Sequence, residues 1–243
     1  MLPTLQIGPL SLPTYPLALL IGGWLALEIA ARAARSKGLD GDAITNAAVF
    51  ALLAGLAAGR LAHVIAYWPA YRTQPLEIIG LSTSAFLLLP AAVAAAVVVG
   101  WTVRRHGLPV AATLDAFALG GLAGLAVISF GAFLAGRNPG APSDLPWAVT
   151  VWGAPRHPVQ LYEMAGYLAA LALAWRAFRS AAAPGTAALI AAAGWGLTRW
   201  LFEPFHASST TAPGGLRLAQ IVGLAAALAA LWALGRRSTA RQG

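Results

Sequence analysis

The sequence contains no cysteine. That absence excludes disulfide frameworks, thiolate metal sites and a cysteine nucleophile supplied by the protein itself. Charge is nearly as scarce: 10% of the 243 residues are charged, against about 25% in an average soluble domain. Acidic residues number 8 against 16 Lys+Arg, and Lys37 is the sole lysine, so the net charge of +8 rests on arginine. With 59% hydrophobic residues and a mean hydropathy of +0.71, the composition excludes a soluble globular enzyme. It also excludes a disordered chain, which needs low hydrophobicity. The chain reads as an integral membrane protein.

The cations occur as short pairs between apolar runs. Nucleic-acid binding calls for a clustered patch or a recognised module; neither is visible, and no nucleic-acid partner is expected. The start, MLPTLQIGPLSLPTYP, has no basic segment and is rich in proline, so no cleavable signal peptide is expected.

A bilayer core needs about 20 mostly apolar residues per helix. Seven such runs are present, roughly 15–34, 43–67, 85–103, 113–135, 158–175, 183–202 and 216–234. They lack the polar/apolar alternation of a membrane barrel. The expected fold class is therefore all-α, a polytopic protein with seven transmembrane helices in one bundle, residues 1–243 forming a single membrane domain. Cations fix the orientation. Arg32, Arg35, Lys37, Arg104, Arg105, Arg176, Arg179, Arg236, Arg237 and Arg241 fall on one side; Arg72, Arg137, Arg156 and Arg217 fall on the other. This split places the N-terminus outside and the C-terminus in the cytoplasm.

Ionisable groups within such spans are costly and point to function by default. Arg60, His63 and Tyr67 share one stripe of the second span by their i, i+3, i+7 spacing. Arg199 and Glu203 are four apart near the outer end of the sixth. Acid after base is the weaker order for such a pair, and a carboxylate at a helix C-terminus opposes the dipole, so the pair reads either as a structural bridge or as an anion or proton site. In His157-Pro158-Val159-Gln160-Leu161-Tyr162-Glu163, proline suits a first helical position and Gln160 a capping-box position; helix initiation explains Tyr162 and Glu163 less well. Asp115 reads as a helix-start residue. Four dispersed histidines make no metal site, no HExxH, GxSxG, Walker or GxGxxG pattern is present, and no cofactor is expected.

Taken in order along the chain, the motifs resemble those of the prolipoprotein diacylglyceryl transferases of bacterial inner membranes. The matching pieces are Ile7-Gly8-Pro9, Tyr15, Gly59-Arg60-Leu61, Pro75-Leu76-Glu77-Ile78, Gly136-Arg137 and Asp144-Leu145-Pro146-Trp147-Ala148-Val149. They continue with Pro155-Arg156 and the HPxQLYE string from His157 to Glu163, which is the most specific, then Arg199, Glu203, Phe205, Gly214-Gly215-Leu216 and Gln220. The resemblance implies transfer of diacylglycerol from phosphatidylglycerol to the lipobox cysteine of a preprolipoprotein, after its signal peptide, with glycerol phosphate released. Its partners would be those two substrates and membrane lipids. Carried over, the expected catalytic residues are Arg199, Glu203 and His157, and the expected substrate-binding residues Arg60, His63, Arg137, Gln160, Tyr162 and Glu163. Arginine's planar fork suits phosphate, and a thiol with an ordinary pKa near 8.5 needs help to ionise.

The chain also departs from the family pattern. Where that pattern has Ser-Phe-His-Gly-Gly, this chain reads Ser84-Ala85-Phe86-Leu87-Leu88-Leu89. Where it has Gly-Arg-Ile-Gly-Asn-Phe, this chain reads Gly124-Leu125-Ala126-Val127-Ile128-Ser129, and Trp195 replaces a tyrosine. Three readings stay open: the enzyme, a catalytically silent relative that binds phospholipid or lipoprotein precursors, and an unrelated seven-span transporter.

Overall fold

A computed structural model of the protein describes residues 1–79, 86–180, 182–212 and 214–239. Two short strands open the chain, β1 (Thr4–Ile7) and β2 (Leu10–Pro13), paired antiparallel with Thr4 opposite Pro13. The long helices follow: α1 (Thr14–Ser36), then α2 (Gly41–Ala66), whose first turn is capped by the Asp40 carboxylate accepting from the Asp42 and Ala43 amides. A four-residue α3 (Trp68–Tyr71) and a 3-10 turn (Pro75–Ile79) lead on to α4 (Leu88–Arg105) and α5 (Val110–Leu134). A second hairpin, β3 (Val149–Val151) with β4 (Ala154–Arg156), turns through Trp152 and Gly153, both at positive φ, as tight hairpin turns require. The chain ends with α6 (Val159–Arg179), α7 (Thr186–Phe202) and α8 (Leu218–Thr239).

Each of the seven apolar runs coincides with a long helix, with ends shifted by a few residues. Ser84, Ala85 and Arg241 lie outside the described residues. Among the described residues, five helices are long and apolar enough to cross a membrane: α1, α2, α4, α5 and α8. Of the other two, α6 carries Glu163, Arg176 and Arg179, and α7 has 17 residues, roughly 25 Å at 1.5 Å per residue against a hydrocarbon core of about 30 Å. The two hairpins are additions to an otherwise all-α expectation.

Contacts group the chain into two compact units, Met1–Ala33 with Leu114–Gly243, and Ala34–Thr113. Both are packed inside-out relative to a soluble protein. In the first, the buried side chains are mostly alanine, while Leu20, Trp24 and Trp232 are more than 60% exposed. Lipid tails solvate large apolar side chains, so helix contacts in membranes rely on small residues that let backbones approach. Gly120 of α5 shows this, since a Cβ there would lie 2.2 Å from the Ala26 carbonyl oxygen of α1. Beyond it, α7 packs against both α6 and α8; a Cβ on Gly196 of α7 would meet the Gly223 carbonyl oxygen of α8 at 2.4 Å. In the second unit α2 packs against α4, with Ile44 fully buried.

Asp115 corrects one expectation. It does not cap its own helix: its carboxylate, 5% exposed, accepts from the Gly185 and Ala188 amides at the start of α7, both at 2.7 Å. Gly185 sits at φ 87° with no side chain to cap the helix, so an anion from α5 fills the position where N-terminal amides and the helix dipole want negative charge.

Candidate active site

The site begins where α5 ends. Gly136, at φ 65°, closes the helix, with Gly136 donating to the Phe133 carbonyl and Arg137 to the Ala132 carbonyl, the paired bonds of a glycine C-cap. The following carbonyls, of Arg137 and Asn138, accept from the Gln160 side-chain nitrogen at 2.5 and 2.9 Å. Gln160 is 3% exposed. It therefore ties the α5 exit to the start of α6 and is not the expected capping-box residue. Pro158 stands at the N-cap, one position earlier than expected, with no side-chain cap bond.

One turn further along α6, the Glu163 carboxylate points at α7. Its Oε1 accepts from Arg199 and, at 3.1 Å, faces His206 Nε2. Arg199's other terminal nitrogen donates to Glu203 Oε2. Glu163, Glu203 and His206 are all buried, as is Tyr167, which lies beside the same guanidinium. Arg199 thus bridges two helices through two carboxylates, the charge pairing that makes ionised groups tolerable away from water. With His206 neutral the four groups sum to one negative charge; a proton on His206 brings them to zero.

Glu203 closes α7 and Pro204 turns the chain, so His206 comes back beside the helix end, its amide donating to the Glu203 carbonyl at 3.1 Å. The returning segment pairs with the α5 exit through the Gly140–His206 bridge, with Ala141 donating to Phe205 at 2.7 Å. Arg217 locks it from the other side, donating to the Glu203 and His206 carbonyls and to Ser209 Oγ at 2.6 to 3.0 Å.

A second group lies next to the first. The Tyr162 hydroxyl accepts from Trp147 Nε1 at 2.7 Å and faces His157 Nδ1 at 3.4 Å, while the His157 ring packs on Phe205 at 4.9 Å. Arg137 is exposed and sits 5.0 Å over the Tyr15 ring.

The remaining expected residues belong to the other unit. Arg60 donates to the Glu77 and Ile78 carbonyls and lies over the Tyr71 and Phe86 rings. His63 stacks on Tyr67 at 4.6 Å, as the stripe predicted, and its Nδ1 faces the Tyr71 hydroxyl at 3.2 Å.

The geometry therefore brings Arg199, Glu203 and Glu163 together, sets His157 with Tyr162, and gives Gln160 a backbone-tying task. Sequence reasoning missed His206, Arg217, Tyr167 and Tyr71. The one signal for His206 was its position just beyond the Glu203-Pro204 helix stop. Tyr167, one turn after Glu163, was legible as the same helix face. Among the described residues no group of three His, Cys, Asp or Glu is placed to hold a metal ion.

Fold and site together define a polytopic helical membrane protein built around a buried arginine–carboxylate–histidine cluster. The chain belongs to the prolipoprotein diacylglyceryl transferase family: the family model described as "Prolipoprotein diacylglyceryl transferase" matches residues 3–236. Several relatives carry the name phosphatidylglycerol–prolipoprotein diacylglyceryl transferase. The one from Rhodospirillum centenum is 32% identical over 251 residues, covering 95% of this chain and 89% of the relative. That from Methylocella silvestris is 36% identical over 172 residues, covering 66% and 63%. That from Synechococcus elongatus is 28% identical over 242 residues, covering 92% and 83%.

Proposed function

We propose that this protein transfers the diacylglyceryl group of phosphatidylglycerol to the lipobox cysteine thiol of a preprolipoprotein, at the outer face of a bacterial inner membrane. The observation that carries the reading is the family match over nearly the whole chain, whose most specific string delivers Glu163 onto Arg199. The seven-span, single-domain arrangement with the N-terminus outside is part of the proposal, supported by the cation split. So are the residue roles. Arg199, Glu203 and His157 serve the chemistry; Arg60, His63, Arg137, Gln160, Tyr162 and Glu163 are assigned to substrate binding. Two carboxylates on Arg199 weigh against an anion site and leave the structural bridge and the proton task, because an approaching phosphate meets their negative charge. Exposed Arg137 is better placed to meet a phosphate first.

A second reading, a catalytically silent relative, is favoured by the apolar Leu125 and Ile128 on α5, where the family pattern carries an arginine and an asparagine. One fixed donor aimed at developing charge is commonly worth roughly 3–4 kcal/mol. Activity is therefore expected at least about a hundredfold below that of a complete family member. The test is transfer of labelled diacylglycerol from phosphatidylglycerol to a lipobox peptide by purified protein, beside a Leu125→Arg, Leu87→His double variant. Low activity raised by the double variant supports the enzyme. Full activity in the unaltered chain refutes the argument from Leu125. No transfer by either protein, with phosphatidylglycerol still bound, favours the silent relative.

A further inference from the structure

We infer that His206 is the group that takes the proton from the substrate thiol, with Glu163 as its positioning residue. The inference rests on the transferase reading above and adds a residue to it. Three observations carry it. His206 Nε2 lies 3.1 Å from Glu163 Oε1, and a carboxylate only accepts, so in a neutral ring the hydrogen sits on Nε2 and the lone pair on Nδ1. Next, among the described residues the hydrogen bond found for the ring is the one through Nε2, and the side chain keeps 11% of its exposure. Finally, the ring is held in place: its backbone is fixed by the Gly140 bridge, the Glu203 carbonyl and Arg217.

The other histidines lack this combination. His157 and His63 face tyrosine hydroxyls through Nδ1, and His106 caps the C-terminus of α4. A base oriented by a third group is the arrangement that activates a weak nucleophile. It also suits the local charge, since a proton on His206 neutralises the cluster that Glu163, Glu203 and Arg199 leave one unit negative. Glu163 and, behind it, Arg199 face the ring; Glu203 and Arg217 meet its backbone.

In the transfer step the thiol proton passes to His206 Nδ1. The thiolate forms a C–S bond to the terminal glyceryl carbon of the diacylglyceryl group as that carbon's bond to the phosphate oxygen breaks. Glycerol phosphate leaves with the electron pair, and His206 afterwards returns its proton to water.

The test compares two lipobox peptides, one with cysteine and one with selenocysteine at the acceptor position, because a selenol ionises at neutral pH without help. His206→Gln keeps a donor toward Glu163 but cannot take a proton. It is expected to slow transfer to the cysteine peptide about a hundredfold or more while leaving transfer to the selenocysteine peptide close to that of the unaltered chain. Equal losses with both peptides, or none with cysteine, overturn the assignment and leave the transferase reading intact. No transfer to either peptide by the unaltered chain refutes that reading and the base with it. If His206→Gln fails to fold, His206→Ala with added imidazole decides the matter: recovery of cysteine transfer supports the assignment, and no recovery overturns it.

Discussion

Arg199→Lys isolates what the two-armed guanidinium does. Its terminal nitrogens serve Glu163 on α6 and Glu203 at the end of α7, with side chains 10% and 5% exposed. A lysine ammonium is a compact charge that satisfies one carboxylate at a time. The other then loses a charge-assisted bond worth about 1.5–3 kcal/mol and stays buried. Arg199 itself is 23% exposed, so solvent relieves part of the loss, and the expected destabilisation is about 2–3 kcal/mol. For a chain of this size that is roughly 4–12 °C in Tm. The cycle is completed with Glu203→Gln, which removes the surplus carboxylate. The Arg199→Lys, Glu203→Gln double variant is expected to be more stable than Arg199→Lys alone by at least about 1 kcal/mol. Thermal unfolding in detergent, followed by tryptophan fluorescence, measures all four proteins. If the double variant is no more stable than Arg199→Lys, or the two effects add within about 0.5 kcal/mol, the arginine is not holding the carboxylates as a unit.

Three further outcomes concern other parts of the molecule. The cysteine-free chain allows single cysteines to be introduced after Arg105 and after Arg179; an impermeant thiol reagent added outside should label neither, and labelling of either reverses the proposed topology. Asp115→Asn should lower stability by about 1–2 kcal/mol and speed hydrogen exchange at the Gly185 and Ala188 amides; unchanged exchange there would refute the capping role. Gln160→Leu strands the Arg137 and Asn138 carbonyls, at a cost of about 1–3 kcal/mol, and should open residues 139–148 to limited proteolysis. Unchanged cleavage would show that the hairpin region holds itself.

The helices were legible because each is a mostly apolar run, and run length is what a bilayer selects, although α6 and α7 fall short of a full apolar span. The hairpins were not: Leu10-Ser11-Leu12-Pro13 is too short for a period and ends in proline, and Trp152-Gly153 carries its turn in backbone dihedrals. At the site, the Arg199–Glu203 pair could be read because both residues share one helix face. Glu163 was found through the string it ends, not through any spacing to Arg199. His206 was invisible because Pro204 breaks the helical period just before it, and no periodicity links residue 206 to residue 163. Asp115 was misassigned for a related reason. Its local position looks like a helix start, and nothing nearby in sequence announces amides 70 residues away.

That long reach bears on how the protein is made. Asp115 leaves the ribosome well before Gly185, so the carboxylate that will serve α7 enters the membrane system before α7 exists. Until those amides arrive, the anion lacks these two donors, and the start of α5 cannot settle into its final buried contacts. Docking of α7 then relieves two liabilities in one event, an anion short of donors and a helix start short of an acceptor. The same event brings Arg199, on that helix, to the Glu163 already waiting on α6. Biogenesis thus has an electrostatic latch, engaged late in synthesis.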